Sequence, residues 1–246
     1  MARAITTLLT IGPVRDDVAS LERVLAHPDA SSDAVAVVGD LGTPWSKRET
    51  YRAIFATLGH TGRPTFWVPG SIDAPLGDHL REASSMEIAF PLLRGVHGTC
   101  ALGPGPVVFT GMGGEIRDDP DTVRDESALL RYPAWEVEYR LKVLHELKAH
   151  PMVFLHTTAP AHKGLDLPGS DVLAELIKTY NPRVAVIAHD EPSEVQLGKT
   201  LVISPGRLDR GNYAVVDLHA RSVERRVLEG SEPDREELPV PPRRVG

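Results

Sequence analysis

The stretch Val35-Ala-Val-Val-Gly-Asp-Leu-Gly42 decides how the rest of the chain is read. An unbroken apolar run ending in Gly39-Asp40 predicts a strand buried on both faces, with a carboxylate emerging at the edge of its sheet. Four more runs stop in the same way: residues 5–11 before Gly12-Pro13, 65–68 before Pro69-Gly70-Ser71, 152–155 before His156, and 184–188 before His189. Side by side, their carboxyl ends form one crevice, the usual ligand site of an open α/β sheet. Asp40 is therefore the first candidate for chemistry.

Working outward, Asp16 or Asp17 is placed to cap a helix whose apolar positions are Val18, Leu21, Val24 and Leu25. Tyr51, Ile54, Phe55 and Leu58 mark a second helix, and the β-α-β-α-β order predicts parallel strands with helical crossovers. Next come a short helix over residues 76–83, short strands between 86 and 110, a glycine-rich loop over 111–116 and an acidic turn over 118–125. The clearest helix is expected over residues 135–148. Val137, Leu141 and Leu144, and also Tyr139, Val143 and Leu147, occupy its apolar positions, with Glu138 paired to Lys142. A further helix carries Val172, Leu173, Leu176, Ile177 and Tyr180, and the last short runs, between residues 195 and 228, are expected to be antiparallel.

Composition sets the class. With 246 residues, 41% of them hydrophobic and 25% charged, the chain is expected to form one α/β domain over residues 1–230. Residues 231–246, with four prolines, read as a disordered tail. A net charge of -7 argues against general nucleic-acid binding. The single Cys100 excludes an internal disulfide framework and fits a reducing compartment. No run approaches the length of a membrane span, so a cytoplasmic protein without a membrane partner is expected.

In this order the strand-end sequences resemble the calcineurin-like metallophosphoesterase family. Its pattern runs Asp-x-His, Gly-Asp-x-x-Asp, Gly-Asn-His-Asp/Glu, a lone His and Gly-His-x-His. The resemblance covers nearly the whole chain and includes Ser204-Pro205-Gly206, which is similar to the family's Asn-Pro-Gly-Ser turn. It implies an αββα sandwich with two metal ions at the strand ends, which generate a hydroxide and clamp the oxygens of an in-line displacement. Residues 69–75, 113–116, 130–135, 138–142 and 162–165 also resemble a divergent branch of the family from thermophilic bacteria, itself short of metal ligands.

The match is partial. Pro13 stands where the first Asp should be and Arg15 where its His should be; Asp40 matches, whereas Thr43 replaces the second Asp. Ser71 replaces the Asn, Ile72 the His that assists the leaving group, and Asp73 keeps the final acid as a turn-forming residue. His156 supplies the lone His, His189 the first His of the last motif, and Glu191 replaces the second. Proline has no side-chain donor and arginine no acceptor, so the resemblance implies a lost first metal site. For the second it implies Asp40, His156 and His189, with Ser71 contributing weakly, around one Mn, Fe or Zn ion, or none. Arg15 and Glu191 are expected to face each other, either as an ion pair or with Arg15 holding a phosphate.

Two functions follow. One is a phosphoester hydrolase with at most one metal ion, with Asp40, Arg15 and His156 catalytic and Arg15, Ser71, His162, Lys163 and Glu115 on the substrate. The other is a silent member that binds a small phosphorylated ligand or a protein in the same crevice. Arg131, Tyr132 and Trp135 are expected to shape the site or a homo-oligomer contact.

Overall fold

The computed structural model describes residues 4–73, 76–119 and 130–230, without the side chain of residue 76. Part of the expected acidic turn and all of the expected tail lie outside these residues. The first half of the chain runs β1 (Thr7–Ile11), α1 (Val18–Ala26), β2 (Ala34–Gly39), α2 (Arg48–Gly59), β3 (Thr65–Pro69), α3 (Leu76–Ala89) and β4 (Leu93–Gly95). Then follow β5 (Thr99–Leu102), β6 (Val108–Met112), β7 (Glu115–Arg117), β8 (Arg131–Pro133), α4 (Ala134–Leu141), β9 (Met152–His156), β10 (Ala159–Pro160) and β11 (Gly169–Ser170). The chain continues through α5 (Asp171–Tyr180), β12 (Val184–Ile187), β13 (Ser193–Leu197), β14 (Thr200–Ser204), β15 (Asn212–Asp217) and β16 (Ser222–Val227).

Two six-stranded sheets form, ordered β16-β15-β1-β2-β3-β4 and β13-β14-β12-β9-β6-β5. Strands β1 to β4 are parallel, as are β6, β9, β12 and β14, so their carboxyl ends gather on one side of each sheet. Leu8, Val38, Phe66 and Val68 of one sheet pack between the sheets against Phe109, Val153, Leu155 and Val186 of the other, and Phe66 stacks on Phe109 with ring centroids 3.7 Å apart. Leu9, Ile11, Val35 and Val37 turn outward onto Leu21, Val24, Ile54, Phe55 and Leu58 of α1 and α2. Met152, Phe154, Ala185 and Ile187 turn outward onto Val137, Leu141, Leu173 and Ile177 of α4 and α5. The result is the expected αββα sandwich, with alternate residues of each central strand serving the two cores.

The local expectations hold where apolar spacing is unambiguous. Asp17 caps α1 through Ser20 N–H at 2.9 Å, and all four predicted apolar residues of α2 are buried. Three elements differ. The third helix runs on to Ala89 rather than stopping at residue 83, and strands begin and end inside the expected 111–116 loop. The helix expected over 135–148 is α-helical only to Leu141 and tightens into a 3-10 turn over Lys142–His145. Val137, Leu141 and Leu144 satisfy its burial, and Tyr139 and Val143 remain exposed. Its ion pair is Glu136 with Arg140, not Glu138 with Lys142.

Candidate functional site at the strand ends

The loops leaving β1, β2 and β3 are fastened to one another by main-chain groups. Val14 and Arg15 N–H both donate to the Asp40 carbonyl, at 2.8 and 3.2 Å, and Asp16 N–H donates to Leu41 O at 3.1 Å. This holds Arg15 and Asp16 in left-handed backbone (φ 49° and 68°), a conformation that non-glycine residues rarely adopt. The Asp16 carboxylate accepts from the hydroxyls of Thr43 and Ser46 in the loop after β2, which offsets that strain. Glycine is required at two places. Gly39 has φ 97° and lies against Ala188 of the other sheet, and a Cβ at Gly70 would meet Asp40 Oδ1 at 1.9 Å.

Asp73 is the anchor beneath these loops. It is fully buried and accepts from Leu41, Gly42 and Gly70 N–H at 2.8 to 3.0 Å and from the Tyr51 hydroxyl at 3.2 Å. Among the described residues Asp40 Oδ1 has one donor, Ile72 N–H at 3.2 Å. Burial of its carboxyl, with Asp73 adding to the effect, pushes Asp40 up to about 7, although Ile72 N–H and Arg15 pull the other way. Burial raises Asp73 too, but its four donors favour the charged form, so Asp40 is the member of this pair that takes up a proton.

The family comparison expected Glu191 opposite Arg15; the structure places Asp190 there. Arg15 Nη2 meets Asp190 Oδ1 at 3.3 Å, and Glu191 turns away to Arg210. A strand-exit residue and its neighbour point to different sides, so a one-residue error changes the partner. The Asp190 carboxylate also lies 3.5 Å from Arg207, a buried arginine held bidentately by Asp209 and invisible to motif reading. A chain of charges, Arg15-Asp190-Arg207-Asp209, thus joins the exit of β1 in one sheet to the exits of β12 and β14 in the other.

Among the described residues Asp40, His156 and His189 do not form a group of three arranged to hold a metal ion. His156 belongs to β9 itself, so alternation puts it on the outer face with Met152 and Phe154, its ring edge-on to Phe154 at 5.5 Å. Thr157, next in sequence, points inward and donates to Pro69 O at 2.8 Å. His156 Nδ1 accepts from Met112 N–H at 3.1 Å, so the neutral ring carries its proton on Nε2, which is buried with no partner among the described residues and, while protonated, is not a ligand atom. Burial pushes His156 down to about 4, which keeps it neutral. Among the described residues no three His, Cys, Asp or Glu side chains are arranged to hold a metal ion. With Pro13 and Arg15 in place of the first two donors and His156 turned outward, the donor set does not fit either metal of the family.

A cleft of about 250 Å³ does open at the strand ends, lined by Ser71, Glu115, Thr157, Thr158, Leu167 and His189 among others. Ser71, Glu115 and His189 therefore line one cleft. Glu115 is engaged by Arg117 and by Arg131 Nε at 2.7 Å, which ties β7 to β8 while leaving the carboxylate at the cleft wall. His162 and Lys163 do not line the cleft: they sit in a turn closed by Leu165 N–H on His162 O, beside Val195. Thr157 and Thr158, which do line it, went unnoticed in the sequence because single threonines carry no motif.

A family model described as metallophosphoesterase, calcineurin superfamily, matches residues 1–228. The crystal structure of TT1561 of Thermus thermophilus is 40% identical, with a TM-score of 0.86 over 91% of this chain and 99% of its own. A second solved structure is 28% identical with a TM-score of 0.80, again over 91% of this chain and 99% of its own. A putative 5'-nucleotidase from Staphylococcus aureus, solved with alpha-ketoglutarate, shares the fold at 11% identity, with a TM-score of 0.58 over 91% of this chain and 53% of its own. No match was found among curated proteins. Matched along nearly its whole length, and folded as an αββα sandwich with Asp40 at its strand ends, the chain belongs to the calcineurin superfamily of metallophosphoesterases.

Proposed function

We propose that this chain binds a small phosphorylated ligand at the strand ends without a resident metal ion and does not hydrolyse it. The observation that carries this reading is the state of Arg15. A guanidinium has five N–H donors, yet among the described residues Arg15 reaches one acceptor, Asp190, at 3.3 Å, and its Nε is buried with no partner. Asp190 is 40% exposed on its side chain, so a phosphate oxygen can replace it at little cost. A phosphoryl group matches the planar fork of an arginine and would occupy the crevice beside Asp40 that the family gives to metal. The rest of the ligand would lie in the cleft along Ser71, Thr157, His189 and Glu115, whose hydroxyls, ring nitrogen and carboxylate suit a hydroxylated molecule.

Thermal unfolding in the presence of a chelator tests this, with inorganic phosphate and small sugar phosphates as probes. Saturation to ten times the dissociation constant adds about 1.4 kcal/mol, a rise of roughly 3–5 °C in a chain of this size. Hydrolysis of a generic phosphodiester is assayed alongside, with Mn, Fe or Zn added. A thermal shift without metal, and no turnover with it, is the expected result. Metal-dependent hydrolysis that disappears in Asp40→Asn would overturn the proposal in favour of a hydrolase.

A further inference from the structure

Helix α4 buries one face and leaves another bare. Val137, Leu141 and Leu144 point into the core, and Trp135, Tyr139 and Val143, spaced four residues apart, are 61%, 74% and 45% exposed. Single exposed apolar residues need no explanation, but three aligned on one helix make a patch of the kind that marks an interaction site. Leu141 departs from helical backbone (φ -87°, ψ 4°) and Lys142 returns to it (φ -57°, ψ -30°), so Lys142 and Val143 lie on the 3-10 turn that prolongs α4, and Val143 stays exposed there.

The charges bordering the stripe identify what covers it. On one side lie Glu136 and Arg140, on the other Glu138 and Lys142, with the acid N-terminal to the base on both. Glu136 and Arg140 form an ion pair within the helix, but among the described residues Glu138 and Lys142 have no ion-pair partner. An identical helix laid antiparallel about a twofold axis keeps each border against its own copy and reverses the order of charges along it. With the axis at Tyr139, Glu138 then lies about 3 Å along the helix from the partner's Lys142, and Glu136 about the same distance from the partner's Arg140. Trp135 covers the partner's Val143, and the two Tyr139 rings meet at the centre. An unrelated partner would have to supply this reversed charge order by chance.

We propose that the chain self-associates through this face, α4 against α4, into a twofold symmetric dimer. Three apolar side chains from each copy make a small interface, so the dimer is expected to be weak.

Sedimentation velocity of the full chain from low to high micromolar concentration reads the association directly. Tyr139→Glu sets like charges face to face on the axis and should lower association at least tenfold without moving the thermal midpoint, because the residue is exposed. Glu138→Lys and Lys142→Glu should each weaken the dimer, and the double exchange should restore it, a rescue that loss of folding or a nonspecific hydrophobic effect would not give. A chain monomeric at every concentration, a dimer that Tyr139→Glu leaves intact, or single charge exchanges without effect would overturn the proposal. So would a monomer carried down by anionic lipid vesicles, which would assign the face to a membrane surface.

Discussion

Arg15 reaches across from the exit of β1 to the carboxylate of Asp190 at the exit of β12, 3.3 Å away, and so spans the two sheets at their carboxyl ends. In a metal-dependent member of the superfamily that position belongs to a cation of another kind. On the proposed reading the Arg15 guanidinium serves there instead, and it needs no assembled donor set.

Replacing Arg15 by alanine removes the main candidate for phosphate contact and leaves Asp40 and Asp190 facing each other. Phosphate affinity measured by calorimetry should fall at least tenfold. Because Asp190 is well exposed, the accompanying loss of stability in urea unfolding should be only about 1 kcal/mol.

Asp73→Ala should act in the opposite proportion. It strips acceptors from three main-chain N–H groups and from Tyr51 in a site without water access. A cost of about 3–5 kcal/mol is expected, seen as a lower urea midpoint at unchanged slope.

Gly70→Ala drives a methyl group into Asp40 Oδ1 and the Asp40 main chain. Since that neighbour includes backbone, the β3 loop must move. Both thermal midpoint and phosphate affinity should drop, whereas Gly62→Ala, with open space at its Cβ but a φ of 66°, should cost only local strain and leave phosphate binding intact.

The carboxyl of Asp40 gives stability a definite pH slope. Its folded value, about 7, lies above its ordinary value of 3.8, so the folded state holds the proton more tightly. Its contribution is therefore fully present below about pH 4 and is lost as pH rises through 7. His79, His97 and His156 are each pushed down to about 4 by burial and slope the other way, losing stability as pH falls from 6.5 through 4. The difference between the parent and Asp40→Asn isolates the carboxyl. In urea unfolding at pH 5 and pH 8, the variant should gain on the parent at the higher pH.

The strands and the first two helices were legible because burial alone decides them: the apolar run 35–38 and the set Tyr51, Ile54, Phe55 and Leu58 leave no alternative packing. Helix α4 was less so, since its sequence offers two apolar stripes and only contact with the sheet selects Val137, Leu141 and Leu144. Asp40 at a strand end was legible from Gly39-Asp40. The outward turn of His156 was also within reach, because alternation from Met152 through Phe154 to His156 puts all three on one face. The choice of Asp190 over Glu191 was not, since it depends on the direction of the chain just past β12. Arg207 and Asp209 pair within two residues and reach the crevice only through the turn after β14, a relationship that spacing does not reveal.

On the proposed reading Arg15 takes the place of a metal ion at the strand ends, where no group of three His, Cys, Asp or Glu among the described residues is arranged to hold one. Equilibrium dialysis of the chelator-treated protein against Mn or Zn, followed by elemental analysis of the parent and of Asp40→Asn, tests it most directly. Well under one equivalent of tightly held metal is expected, the same in both proteins. One or more equivalents in the parent, lost in Asp40→Asn, would contradict it.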